Sequence, residues 1–254
     1  MRILAALFSI LVWSSAQAEL LTYSGGSNEP IGVSDGLLKM EFNYSRSHYT
    51  LDVINEFADQ LRVESGSAND YELVTKYYFT KFIFGFLNYK FSQVEYEDSA
   101  VHELQEGNLD YHDYSIGGGY NWGGLSFKLA FGEARYHSFL ETDTTFYFQD
   151  DLNSQYISYG VDYKFETAFG FDVEMFVDFQ SYFESTVGSY DIEKGDVRKW
   201  GGRMVVSSGA LQYGFGYTHT HRTVKMIHNF FSLRNEMNNK LLANQFLLFT
   251  GYGF

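Results

Sequence analysis

The 254-residue chain carries a net charge of −14, 19% aromatic residues with 25 Phe and 21 Tyr among them, 24 Gly, one Pro and no Cys. The acidic balance excludes nucleic acid as a partner, because a phosphate backbone calls for a basic surface, and the missing cysteine excludes a disulfide scaffold or a thiolate metal centre. No stretch reaches 18 consecutive apolar residues, which excludes a bundle of membrane-spanning helices, and so many aromatics are foreign to disorder.

Arg2, the apolar run 3–13 and the Ala16-x-Ala18 site read as a secretory signal peptide over residues 1–18. Residues 19–36, with Gly25, Gly26, Asn28 and Pro30, read as a periplasmic N-terminal lead or a short plug. The barrel domain is expected over 37–254.

From there the chain alternates apolar and polar residues with the period of two that marks a strand. The segments run 37–50, 70–80, 82–96, 108–122, 124–138, 154–166, 169–183, 196–207, 210–224 and 241–254. Compact connections (near 80–81, 122–124, 166–169 and 207–210) take turns with long polar ones (51–69, 97–107, 139–153, 186–195 and 225–239). Short turns at one end and long loops at the other are the asymmetry of a transmembrane barrel. Residues 50–61 leave three readings open: a loop helix, since Leu51, Ile54, Phe57, Ala58 and Leu61 also fit a helical stripe, an extension of the first strand, or an added hairpin.

Rows such as Leu125, Phe127, Leu129, Phe131 and Leu211, Tyr213, Phe215, Tyr217 are expected to face lipid, with Trp122, Tyr163, Trp200 and Tyr252 at the row ends where interfacial girdles lie. Hydrocarbon offers no water to an open sheet edge, so the strands must close. The expected fold is all-β: a single antiparallel up-and-down transmembrane β-barrel of ten strands, with eight or twelve left open.

The last segment places Phe246, Leu248, Thr250, Tyr252 and Phe254 on one face and narrows to Gly251 and Gly253 on the other. Ending in Phe254 with Tyr252 two residues before it, it resembles the terminal strand of bacterial outer-membrane β-barrels. The chain as a whole resembles OmpA-like barrels and small porin-type proteins. That resemblance implies a bacterial outer-membrane location and recognition of Tyr252 and Phe254 by the barrel-assembly machinery.

The faces opposite the apolar rows carry Lys39, Lys76, Lys90, Lys128, Lys164, Lys199 and Arg203 against Glu41, Glu72, Asp113, Asp162, Asp172, Glu174 and Asp178. Seven charges of each sign predict a lumen filled by ion pairs, whereas a selectivity filter would favour rings of one sign. The acidic excess falls in the long connections, with Glu95, Glu97, Asp98, Glu103, Glu106 and Asp110 in one run. Such loops keep a surface solvated, and they offer oxygen ligands to divalent cations, although no spacing matches an EF-hand loop. The last loop is the basic one, with Arg222, Lys225, Arg234 and Lys240 against Glu236, and its charge sign points to lipopolysaccharide phosphates.

Two constellations bear on catalysis. His219 and His221 share an outward face without a third metal ligand placed by sequence, and Asp110, His112 and Tyr114 share a face at the rim. Neither matches a motif of omptin-type proteases or outer-membrane lipid hydrolases, which resemble this chain in architecture. No catalytic residue, metal or cofactor is expected, and the chain is not expected to be an enzyme. The expected function is a structural or surface-interaction barrel, with a narrow channel for ions or small solutes as the alternative and a rim hydrolase or protease third.

Overall fold

The computed structural model describes residues 33–54, 60–96, 109–142, 145–187, 190–230 and 233–254; the signal-peptide segment 1–18, most of the 19–36 lead and the acidic run 97–107 lie outside these. Among the described residues there are eleven strands: β1 (Leu38–Ile54), β2 (Gln60–Tyr78), β3 (Ile83–Tyr96), β4 (Leu109–Trp122), β5 (Leu125–Thr142), β6 (Thr145–Glu166), β7 (Asp172–Tyr182), β8 (Ser185–Val187), β9 (Tyr190–Ser208), β10 (Leu211–Phe230) and β11 (Leu233–Gly253). Among the described residues no helix is long and apolar enough to cross a membrane.

Strands β1 to β7 pair antiparallel with their sequence neighbours, β7 pairs with β9, and β9, β10 and β11 follow in turn. β11 then returns to β1 in unbroken register from Lys39↔Gly253 to Ile54↔Asn238, so the sheet closes into a ten-stranded barrel. The three-residue β8 is an extra piece that pairs with the end of β9 through Val187↔Tyr190.

The short connections gather at one end. Gly209, at φ +62, makes the turn between β9 and β10 in a left-handed conformation that costs a residue with a Cβ about 1–2 kcal/mol. The β6–β7 turn corrects the sequence reading, which began the seventh strand at residue 169. Residues 167–171 form a turn instead, because the Thr167 amide and hydroxyl both donate to the Phe171 carbonyl, at 2.9 and 2.7 Å.

The opposite end differs more. The connections read as long polar loops are in large part strand: β1 runs to Ile54, β2 begins at Gln60, and the β10–β11 hairpin stays paired out to Phe230↔Leu233. Of the three readings of residues 50–61, the described part follows the strand extension, and residues 55–59 lie outside the described ones.

These extensions reverse the polarity of the barrel wall. On β1 the inward face reads Glu41, Asn43, Ser45 and Ser47, then switches to Tyr49, Leu51 and Val53, all buried. Its outward face reads Leu38, Met40, Phe42 and Tyr44, then switches to the exposed Arg46 and His48. β10 behaves alike: inside, Gln212 and Thr218 give way to Val224 and Met226, and outside, Leu211 and Phe215 give way to Thr223 and Lys225. The expectation of polar residues inside throughout therefore holds only for the short-turn half. The physical reason is the surroundings: where oil lies outside, apolar side chains point out, and where water lies outside, the same strands bury them inward as any soluble sheet does.

The outward belt of the short-turn half is apolar and exposed, with Leu129 at 51%, Phe131 at 57% and Phe246 at 71%. All four register irregularities lie in the long-hairpin half, at Ser47/Thr50, Ser65/Ser67, Tyr136/Ser138 and Lys225/Met226. Within the belt the ladders are unbroken, as hydrocarbon demands of backbone polar groups.

Candidate functional site

The candidate site is the barrel interior, which stacks in four layers from the short-turn end upward. The first is a small apolar floor in which Leu37, Tyr78 and Phe84 are buried together and Val33 packs against them. Gly36 N–H donates to the Tyr78 carbonyl at 2.8 Å and the Lys81 N–H donates to the Asp35 carboxylate, which ties the start of β1 across the β2–β3 turn.

Above the floor lies a chain of ion pairs. Arg203 on β9 donates its Nε to Glu174 at 2.6 Å and its Nη1 to Glu41, while its guanidinium sits 4.6 Å from the centre of the Phe249 ring. Lys39 stands 3.6 Å from Glu41. Lys164 reaches Asp172 at 2.9 Å and Glu174 at 3.9 Å. One step along, Lys128 on β5 bridges Asp162 and Asp178 at 2.8 and 2.9 Å.

The third layer mixes ions with neutral donors. Glu72 accepts from the amides of Asn43 and Asn88, both at 2.9 Å. Asp70 accepts from Tyr49 Oη at 2.8 Å and from Ser47 and Gln245, with Lys90 at 3.8 Å. Asp113 accepts from the Tyr156 hydroxyl. Lys76 and Lys199 lie instead near the faces of Phe84 and Phe176, at 5.6 and 5.8 Å from the ring centres.

All fourteen residues expected in the lumen thus project from the inner face of the wall, and period-two placement brings them together. Sequence reasoning did not count Asp70, the first residue of its second segment, among the lumen charges, nor its partners Tyr49 and Gln245. The signal was present: Asp70 precedes Glu72 by two and so shares its face.

The fourth layer is apolar. Leu51, Val53, Val94 and Met226 are 0% exposed, and Ile192, Met237, Leu241 and Val197 pack with them across the barrel axis. Tyr49 and Tyr111 stack at 6.0 Å along the underside, and Arg222 lies inward against Tyr111 at 5.7 Å. Burying each large member of such a layer contributes about 1.5–3 kcal/mol. Between the layers lie small cavities, of about 180 Å³ among the ion pairs and about 120 Å³ under the apolar layer.

The rim candidates point outward. His112 Nδ1 lies 3.0 Å from Tyr89 Oη, and His219 Nδ1 lies 2.8 Å from Asn244 Oδ1, beside Trp200 at 5.3 Å between rings. His221 Nε2 is 3.4 Å from Thr223 Oγ1. Among the described residues no group of three or more His, Asp or Glu is placed to hold a metal ion. Of the basic last loop, Arg222 turns inward, and Lys225 is held by Glu193 and Glu236 at 2.8 and 3.1 Å, hydrogen bonds that raise its pKa above the ordinary lysine value. Lys240 faces out, and the side chain of Arg234 lies outside the described ones. Phe254 closes the wall against Leu38, its N–H donating to the Leu38 carbonyl at 2.7 Å, and its ring meets Tyr252 edge-on at 4.7 Å.

A closed ten-stranded wall with an apolar exposed belt and a charged interior defines the class, a transmembrane β-barrel. Solved structures of bacterial outer-membrane β-barrels share this fold. The chain resembles the outer membrane protease OmpT from Escherichia coli at 10% identity, with a TM-score of 0.50 over 87% of this chain and 98% of that one. It also resembles the COG4313 outer membrane channel from Pseudomonas putida F1, at 13% identity and a TM-score of 0.46 over 92% and 100% of the two chains. The β domain of the Bordetella autotransporter BrkA aligns at 12% identity and a TM-score of 0.36 over 84% and 99%. No protein-family profile and no curated protein matches the sequence.

Proposed function

We propose that the chain is an integral bacterial outer-membrane β-barrel with a sealed interior, non-catalytic, whose long hairpins rise from the outer leaflet as a surface for interactions. The short-turn end is then periplasmic and the polarity-reversed half extracellular, the usual asymmetry of such barrels. Tyr252 and Phe254 serve as the assembly signal.

The observation that carries this reading is the apolar layer. Leu51, Val53, Val94 and Met226 have no exposed surface, and they lie where a pore would need its mouth. Below it the Arg203–Glu41 pair spans the lumen from β9 to β1, and a water-filled path would have to part it at a cost of several kcal/mol. The rim histidines favour the same reading, since His112 and His219 are oriented by a tyrosine and an asparagine rather than by the carboxylate that a general base uses.

Planar-bilayer recording of the purified protein tests it. The expected record is flat at voltages that leave the bilayer intact. Reproducible unitary steps from wild-type protein would overturn the sealed interior and make the chain a channel.

A further inference from the structure

On the outward face of β9, β10, β11 and β1, just above the aromatic belt, the register assembles a cationic patch that the chain does not neutralise. Arg198 stands opposite His221, which stands opposite Leu242. One row below, Trp200, His219, Asn244 and His48 lie side by side. Lys240 is one row above, opposite Thr223, and Arg46 one row below, opposite Phe246. Arg46, His48, Arg198 and Lys240 are exposed. Lys240, Arg198 and His219 all act electrostatically on His221, so the group is one cluster rather than scattered charges.

Three other outer cations of this half are matched. Lys225 has Glu193 and Glu236, Lys194 has Asp196 at 3.4 Å, and Arg62 holds Asp52 with two hydrogen bonds of 2.6 and 3.0 Å. Among the described residues Arg46, Arg198 and Lys240 have no carboxylate partner. The carboxylates nearest them in register, Asp52 beside Lys240 and Asp196 beside Thr223, are the two already engaged. In a chain with a net charge of −14, three exposed cations in one place without a carboxylate partner are an exception, and together they suit an anionic group.

Height identifies the anion. Trp200, Tyr217 and Phe246 sit at the patch's lower edge, and such aromatics mark the headgroup level. Arg46, among them, can reach up to that level along its own stem. Groups at this height meet lipid headgroups before any soluble ligand.

We propose that this patch is a docking site for the phosphate groups of an anionic glycolipid of the outer leaflet, with Arg198, Lys240 and Arg46 as the charged contacts and His219 and His221 as further ring-nitrogen contacts. The proposal rests on the outer-membrane reading above, with the long hairpins outside. It moves the lipid-phosphate contact away from the last loop as a unit: of that loop's described cations, Lys240 joins the patch, Arg222 turns inward and Lys225 is held by Glu193 and Glu236.

The test is native mass spectrometry of the detergent-solubilised full-length protein titrated with bis-phosphorylated lipid A, with dephosphorylated lipid A and inorganic phosphate in parallel. Wild type is expected to retain bis-phosphorylated lipid A and to bind the dephosphorylated form far more weakly, with affinity falling as salt rises. Each cation near an anionic surface is worth about 1 kcal/mol, so the triple variant R46Q/R198Q/K240Q should bind on the order of a hundred-fold more weakly. The control R135Q, which removes an exposed cation on β5 away from the patch, should stay within about two-fold. Equal binding by the triple variant, an equal loss in the control, equal binding of the dephosphorylated lipid, or displacement by millimolar inorganic phosphate would each overturn the proposal. Should the triple variant fail the heat-modifiability test for a folded barrel, the salt dependence of wild-type binding decides, and salt-independent binding overturns it. Failure of the outer-membrane reading is seen separately, as a chain that fractionates outside the outer membrane.

Discussion

Arg203 and Glu41, 162 residues apart in sequence, meet inside the barrel, the guanidinium donating to one carboxylate on β1 and a second, Glu174, on β7. Removing the cation leaves two acids among neighbours that were placed for three. Arg203→Met is therefore expected to cost about 3–5 kcal/mol. The double change R203M/E174L, which leaves Lys39 with Glu41 and Lys164 with Asp172, should recover much of that loss. Denaturant unfolding in detergent, followed by tryptophan fluorescence, measures both. A single variant as stable as wild type would show that the pairing contributes nothing.

The apolar layer should behave as a core of its own. Leu51→Ala is expected to destabilise the long-hairpin half by roughly 2–5 kcal/mol, as deletion in a packed core does, while the belt stays folded. The readout is protease added to whole cells. Hairpin cleavage should appear in the variant, with the heat-modifiable barrel band retained. Loss of the whole barrel would mean that the two halves fold as one unit.

Polarity on the belt is equally specific. Leu129 lies outward and half-exposed near the middle of the apolar rows, so Leu129→Arg should cost roughly 2–4 kcal/mol in a bilayer. The same arginine introduced at Thr223, which is exposed above the belt, should cost nearly nothing. Folding yields into lipid vesicles compare the two. Equal costs would place the lipid boundary elsewhere.

Gly117 tests close packing inside the wall. A Cβ there would strike the Leu129 carbonyl and the Ala130 methyl on the neighbouring strand. Gly117→Val should lower the yield of heat-modifiable barrel several-fold, whereas Gly118→Val, whose nearest neighbour atom is 3.2 Å away and which faces outward between Tyr120 and Ile116, should be much milder. Equal yields from the two variants would remove the steric argument.

The sequence displayed the membrane half openly. Alternation of Leu125, Phe127, Leu129 and Phe131 with Ser126, Lys128 and Ala130 states both faces of β5, and the lumen charges follow from parity alone. The long-hairpin half was harder to see because the rule used to find strands was the rule for strands in oil. Past Ser47 the parity of β1 is unchanged while its meaning is reversed, with Tyr49, Leu51 and Val53 now inward. A search for that phase reversal would have found the extensions, since β10 repeats it at Val224 and Met226. The phosphate-facing patch could not be read at all. Its members lie on four strands, and only the registers of β9, β10, β11 and β1 bring Arg198, Lys240 and Arg46 onto one stretch of the outer face.

The reversal of side-chain polarity along single strands also fixes how deep the molecule rides. Strands advance about 3.3 Å per residue, so sinking by even two positions would drag Arg46 and Arg198 into oil and rising would strand Phe127 and Tyr213 in water. The barrel has a waterline painted on it by its own residues, and whatever the hairpin tips present is held at one set height above the bilayer.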